Sequence, residues 1–241
     1  MEKPSVLVLG GRGDIGSAIC QRFRNAGYEV TATGRTDFDL ADLSSIDAWF
    51  SKQQTSFGVL VHSAGLNTPR SFEDLTQEEL NLSFASNVSG FLRVLQHMLP
   101  SLIALRGQVV VISSLYGFLA RTQRLAYVTS KHALIGCVRS LALELAPSGI
   151  RVNAVIPGYI DTRMTRTNLT PETIARVTSF IPAGHLGVPN DIAEVVYFLC
   201  SPASRYINGQ DIVVDGGFSI DGAREIYPAR VDVKSLKSSG G

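Results

Sequence analysis

Cysteine, histidine, net charge and long apolar runs are all scarce in this 241-residue chain, and each scarcity removes a class of function. Cysteine occurs only at Cys20, Cys137 and Cys200, far apart and with no Cys-x-x-Cys pair, which excludes a disulfide framework and reads as three reduced, buried thiols. His62, His97, His132 and His185 show no metal-ligand spacing, so no metal site is expected. Lys+Arg 22 against Asp+Glu 21 leaves +1, so no overall field draws the chain to nucleic acid or to an anionic bilayer. Any anion it binds must be held locally. No apolar stretch approaches the roughly 20 residues of a membrane span, and Met1-Glu2-Lys3-Pro4 runs into an apolar strand without a secretory leader. The expectation is a cytoplasmic protein with no membrane partner, in which the Asn-x-Ser/Thr matches at Asn81, Asn87 and Asn168 carry no glycan.

What is present is a core: 45% apolar against 18% charged residues, in a chain long enough to bury on the order of 70–75% of its unfolded surface. Short β-branched runs alternate with helical periodicity, the pattern of a βαβ series and a parallel sheet covered on both faces. Strands are expected at Ser5–Leu9, Glu29–Thr33, Phe38–Leu40, Val59–His62, Gln108–Ile112, Ile150–Ile156 and Asp211–Val214. Helices are expected near 14–26, 44–54, 76–99, 126–146 and 190–200, the third opened by a capping box at Thr76-Gln77-Glu78-Glu79. This is an α/β, doubly wound, mostly parallel seven-stranded sheet. No repeat or linker divides the chain before residue 222, so 1–221 reads as one domain and 222–241 as a tail. The segment 160–188, rich in Thr and Pro, follows a strand end and is placed to be a lid.

Leu9-Gly10-Gly11-Arg12-Gly13-Asp14-Ile15-Gly16 lies at the first strand-helix junction. Glycines there let the backbone approach a pyrophosphate, which the exposed amides and positive dipole of a helix N-terminus hold. About 20 residues on, where an NAD site offers a carboxylate to the ribose, stands Thr33-Gly34-Arg35. A guanidinium there suits a 2′-phosphate, so Arg35, with Arg12 as a second cation, points to NADP(H) over NAD(H); Asp37 and Asp39 nearby weigh the other way. Tyr127 and Lys131 stand at i and i+4 on an expected helix and so face the same way. A neighbouring cation favours the phenolate and moves a phenol toward the neutral range where general acid–base transfer works. Ser114 ends the strand 13 residues upstream, at the edge of the sheet where side chains gather.

With these residues the sequence resembles the single-domain branch of the short-chain dehydrogenase/reductase family, over roughly residues 5–219. The resemblance rests on the glycine turn, Ala64-Gly65, Asn87-Val88-Ser89-Gly90, Ser114, Tyr127 with Lys131, Pro157-Gly158 with Thr162 beyond, and Val214-Asp215-Gly216-Gly217. It implies that Tyr127 is the general acid in reduction and the base in oxidation. It further implies that Lys131 lowers the phenol's pKa and holds the nicotinamide ribose, that Ser114 binds the substrate oxygen, and that Asn87 fixes a water relaying protons to Lys131. Cofactor contacts are implied at Gly10, Gly13, Ile15, Gly16, Ala64, Gly65, Pro157 and Gly158, with Asp39 and Leu40 at the adenine and Ile160 and Thr162 beside the carboxamide. A homotetramer or dimer, built through the helices carrying 76–99 and 126–146, is implied as well.

The chain departs from the family's pattern where Leu9 and Asp14 replace a Thr and a central Gly of the turn, and where His62-Ser63 replaces Asn-Asn. The short stretch between Arg35 and Leu40 leaves little room for a helix. Overall the chain looks similar to the 3-oxoacyl-[acyl-carrier-protein] reductases, so a 3-oxoacyl thioester and an acyl-carrier protein are the first substrate and partner to consider. A sugar or polyol dehydrogenase and a biosynthetic ketoreductase are the alternatives, and an NADP-binding regulator without activity is the rival from another class. Tyr116, Phe118, Leu119, Tyr159 and Met164 are expected in the pocket walls, and Arg163 and Arg166 are the candidates to meet an anionic substrate or an acidic carrier.

Overall fold

The expected alternation folds into one parallel sheet of six strands, described by a computed structural model for residues 4–221. The elements run β1 (Ser5–Leu9), α1 (Asp14–Asn25), β2 (Val30–Thr33), α2 (Leu43–Phe50), β3 (Phe57–His62), α3 (Gln77–Phe84), a π turn (Ala85–Ser89) and α4 (Gly90–Leu105). They continue as β4 (Gln108–Ile112), α5 (Leu125–Leu145), β5 (Arg151–Pro157), α6 (Arg163–Asn168), α7 (Pro171–Phe180), α8 (Pro189–Cys200) and β6 (Asp211–Val214). The expected tail lies outside the described residues.

Strand order is β2-β1-β3-β4-β5-β6, so successive connections leave β1 on opposite sides and open a crevice above its carboxyl end. Leu9 stands in register with Thr33 on one side and His62 on the other. Side chains alternate across each strand. Val6, Val8, Val59, Val61 and Val110 pack with Ile19 and Phe23 of α1 and Ile192 and Val196 of α8. Leu7, Leu9, Leu60, Val109 and Val111 pack on the other face with Phe91, Val94 and Met98 of α4 and Leu134 and Val138 of α5. By length and composition the helical run Gln77–Leu105 could cross a membrane. Here its apolar side, including Leu102, lies against the sheet.

The third of the seven expected strands, Phe38–Leu40, is not one. Its neighbourhood is spent on local turns: Gly34 N–H donates to Asp37 Oδ2 (2.8 Å), Asp37 N–H to the Gly34 carbonyl, and Ala41 N–H to Asp39 Oδ1 (2.9 Å). Those turn bonds leave no run of amides for a ladder. Phe38 is buried all the same, 5.1 Å from the Trp49 ring, which explains its strand-like apolarity. No helix fills 34–40, as the short spacing implies. The Thr76–Glu79 capping box forms in both directions, and the helix it opens runs past 99 to Leu105 through Pro100, ending where Arg106 takes a left-handed conformation. The 160–188 segment carries two short helices, α6 and α7, each capped by a threonine hydroxyl, Thr162 and Thr170. All three cysteines are free, two buried and Cys137 half-buried.

Candidate active site

The glycine turn is shaped by close approach. Gly10 takes φ +70°, and a Cβ on it would stand 2.7 Å from the Ala64 backbone; one on Gly16 would stand 2.1 Å from the Gly10 carbonyl oxygen. Gly13 is the N-cap of α1 and provides no side-chain acceptor, so the first amides of the helix face the crevice free. Beside them a cavity of about 270 Å³ is walled by Gly10, Gly13, Arg35, Asp39, Leu40, Ala64 and Gly65 among others. A backbone cradle that side chains would fill, ending in free amides, fits a dinucleotide pyrophosphate.

Asp14, an anion at that helix start, is turned away from the amides. Its carboxylate accepts from Arg163 N–H (2.6 Å) and Arg163 Nε (2.8 Å), and these bonds hold it below the usual carboxylate range. Arg163 also reaches the Arg12 carbonyl at 3.3 Å. The same contacts tie α6 to the turn. Arg163→Ala is therefore expected to weaken NADPH two- to five-fold, in line with the roughly 0.5–1 kcal/mol of an exposed pair. The double variant with Asp14→Gly should recover that affinity, and fluorescence titration of the four proteins checks it.

Arg12 donates to Asp37 (2.9 Å) and to Thr36, so its head is occupied. Asp37 is thereby neutralised by Arg12 and held by the Gly34 amide. Arg35 has no side-chain partner among the described residues.

A second cavity, about 170 Å³, shares Ser63, Ala64, Gly65 and Met164 with the first. Ile15, Ser114, Tyr127, Lys131, Pro157, Gly158, Ile160 and Thr162 all line it. Three expected residues stand outside both walls: Arg12, Gly16, which packs behind the turn, and Asn87, which is fully buried. Ser114 hydrogen-bonds the Tyr127 phenol, and Lys131 Nζ lies 5.6 Å from the ring centroid, donating to the Ile112 carbonyl at 2.9 Å. The direction of the phenol's shift reverses the expectation. Burial outweighs neighbouring charge and pushes Tyr127 up to about 12, while the Lys131 ammonium is pulled down to about 8. In the cofactor-free site Tyr127 thus stays protonated.

Asn87 sits in the π turn and clamps the loop after β3. Its Oδ1 accepts from Leu66 N–H (2.7 Å), and its Nδ2 donates to the Leu66 carbonyl (3.1 Å) and Ser130 Oγ (2.9 Å). The Asn87 carbonyl takes a bond from His62 Nε2 at 2.9 Å, so His62 supplies the brace between β3 and the helix that Asn-Asn would make elsewhere. Since a carbonyl only accepts, Nε2 carries the proton and buried Nδ1 is left without a partner. Burial drives this ring down to about 3. Between that value and the ordinary 6.5 the unfolded chain binds a proton that the folded chain refuses, so stability falls as pH falls. From pH 6.5 to 4.5 the loss is expected to reach roughly 2–3 kcal/mol, read as a shift in urea midpoint, with a flatter dependence in His62→Asn.

Tyr116, Tyr159 and Met164 line the substrate cavity as expected, but Phe118 and Leu119 do not, and Arg163 and Arg166 do not face it. They are committed to Asp14 and Asp161, the latter pair at 2.8 Å. Besides Lys131, the cavity's cations are Arg121 and Arg124. The available signal was the nearness of Arg124 to Tyr127, three residues on; the structure makes Arg124 the N-cap of α5. Among the described residues no group of three His, Cys, Asp or Glu could hold a metal ion.

Comparison with known proteins agrees with this geometry. The family model described as enoyl-(acyl carrier protein) reductase matches residues 32–219. The 3-oxoacyl-[acyl-carrier-protein] reductase MabA of Mycobacterium tuberculosis is 35% identical over 90% of this chain and 93% of its own. The aldohexose dehydrogenase of Thermoplasma acidophilum superposes with a TM-score of 0.85 at 29% identity, over 95% of this chain and 97% of its own. A protein described as a gluconate 5-dehydrogenase of Beutenbergia cavernae, solved with NADP at low occupancy, gives 0.84 at 29% identity over 92% and 98%. The Ser-Tyr-Lys set at a shared cavity wall, the glycine cradle and these matches have one common explanation: the chain belongs to the short-chain dehydrogenase/reductase family of oxidoreductases.

Proposed function

We propose that the protein interconverts a ketone and a secondary alcohol with NADP(H). The observation that carries this is the placement of Ser114, Tyr127 and Lys131 on the wall of a cavity continuous with the glycine cradle. When bound, the reduced nicotinamide supplies hydride. Tyr127, kept protonated by burial, delivers the proton to the carbonyl oxygen, and Ser114 with Tyr127 stabilises the developing alkoxide. Lys131 is placed to hold the ribose and to favour the phenolate in the reverse direction. Oxidation of NADPH against cyclic ketones, sugar ketones, oxo acids and an acetoacetyl thioester, with Tyr127→Phe as blank, tests the reading; turnover that persists in the blank ends it.

NADP(H) over NAD(H) is supported by the unpaired guanidinium of Arg35 on the adenine-side cavity and by the neutralisation of Asp37. Arg35→Ala should weaken NADPH by about 1.5–3 kcal/mol, as for a hydrogen bond to a charged group, and leave NADH unchanged; equal losses would deny Arg35 the 2′-phosphate.

The 3-oxoacyl thioester remains a candidate substrate because relatives such as MabA carry that activity in their names. We take 1–221 as a single domain, and a homotetramer as the assembly. Exposed Leu82, Leu125 and Leu143 on α3 and α5 support the second point, and light scattering in solution tests it.

A further inference from the structure

Arg124 is the only buried arginine among the described residues, 6% exposed, and it lines the substrate cavity. A guanidinium taken out of water is costly unless an anion accompanies it, and buried charges are found paired. No carboxylate of the described residues lies within 4.0 Å of it. Its one hydrogen-bond partner among the described residues is the Gln123 carbonyl, 3.1 Å from Nη1. That carbonyl also accepts from Arg70 N–H at 3.0 Å, and Gln123 is held in the left-handed region at φ 59°. An uncommon backbone conformation therefore fixes the acceptor that orients the cation, while Nε and Nη2 keep their donors.

Arg121 lines the same cavity and donates to the Tyr116 hydroxyl at 3.3 Å, which lies 3.1 Å from the Tyr159 hydroxyl. Among the described residues it has no carboxylate partner either. Burial first, and then the Arg121 charge, lower the Arg124 guanidinium below its ordinary range. Besides Lys131, two like charges thus converge on one pocket whose walls, among the described residues, contribute no anion. Arg124 is the N-cap of α5 and lines the same cavity as Tyr127, so an anion bound there shares the pocket with the phenol.

Resting on the ketone–alcohol reading, we propose that the substrate carries a carboxylate, held by Arg124 with Arg121, and that the reaction interconverts an oxo acid and a hydroxy acid. The planar Nε–H and Nη2–H fork of Arg124 matches the two oxygens of a carboxylate. The carbonyl carbon gains hydride from NADPH, its oxygen gains the proton of Tyr127, and the carboxylate passes through unchanged.

The test compares short oxo acids, aliphatic and aromatic, each beside its methyl ester, in NADPH oxidation. Acids are expected to be preferred in kcat/KM by roughly 10- to 100-fold, the reach of a charge-assisted hydrogen bond. Arg124→Gln should erase the preference through KM and leave the esters alone, whereas Arg124→Lys keeps part of it. Should the glutamine variant not fold, Arg121→Gln, at an exposed side chain, carries the same comparison with a several-fold loss. Better turnover of esters, thioesters or phosphorylated ketones overturns the proposal, and so does an equal loss for acids and esters in the arginine variants. Failure of the underlying reading differs: no ketone of either charge would react, or turnover would survive Tyr127→Phe. Calorimetric titration of acids and esters into the protein with NADP+ then decides the carboxylate separately. Acid binding lost in Arg124→Gln sustains it, and binding indifferent to charge ends it.

Discussion

Tyr127→Phe is expected to lower kcat by about 10³-fold, within the range of general acid catalysis, while NADPH affinity changes no more than a few-fold. The substitution removes the phenolic oxygen and nothing else of bulk. The ring keeps its edge-on contact with Tyr116 at 6.3 Å and its place beside Lys131, so the cavity wall survives. What disappears is the proton donor, held un-ionised near pH 7 because burial pushes it up to about 12, together with one of the two hydrogen bonds to the forming alkoxide. Ser114 alone can offer the second. The pH dependence has a definite sign: kcat/KM for reduction should fall as pH rises through about 8, where Lys131 loses the proton that burial has loosened. Stopped-flow single turnovers separate this from binding, and a variant keeping a tenth of the wild-type rate would remove Tyr127 from the chemistry.

The residues legible in the sequence are those whose meaning is local. Tyr127 and Lys131 declare themselves by helical spacing, Gly10 to Gly16 by their junction, and the buried strands by β-branched runs with turn signals between them. The readings that changed depend on partners distant in the chain. Arg163 looks like a free cation until Asp14, 149 residues earlier, is folded against it. Arg124 looks like a surface charge until burial strips it of water. Phe38–Leu40 has the composition of a strand, but the Phe38 amide donates to the Gly34 carbonyl and the Asp39 amide to Ser45 Oγ, so neither is offered to a ladder. The sign of the Tyr127 shift turns on how much water the pocket excludes, a property of many residues together. Asn87 is similar: its position is legible, yet its hold on Leu66 follows from a π turn that no local pattern announces.

Gly16→Ala carries the second large expectation, a fall in NADPH affinity of about 10- to 100-fold, as overpacking of roughly 1–3 kcal/mol would give. The added Cβ would lie 2.1 Å from the Gly10 carbonyl oxygen, 2.8 Å from its carbon and 2.9 Å from Gly11 Cα. All three are backbone atoms, so no rotamer change relieves the contact. Gly10 is itself in a crowded place, since a Cβ built on it would stand 2.7 Å from the Ala64 backbone just after β3. Relief must come from parting the turn from α1, which takes the free amides out of line with the cradle. Gly13→Ala is the control, since its Cβ would meet only the Gly10 oxygen at 3.3 Å, a few tenths of an ångström from ordinary contact. Gly136→Ala, inside α5 with nothing within 4 Å, should instead raise stability by roughly 0.5–1 kcal/mol. Fluorescence titration with NADPH and urea midpoints on the three variants distinguish a cofactor effect from a folding effect. An affinity of the Gly16 variant equal to that of the unaltered protein would mean that the pyrophosphate is held elsewhere than on this turn.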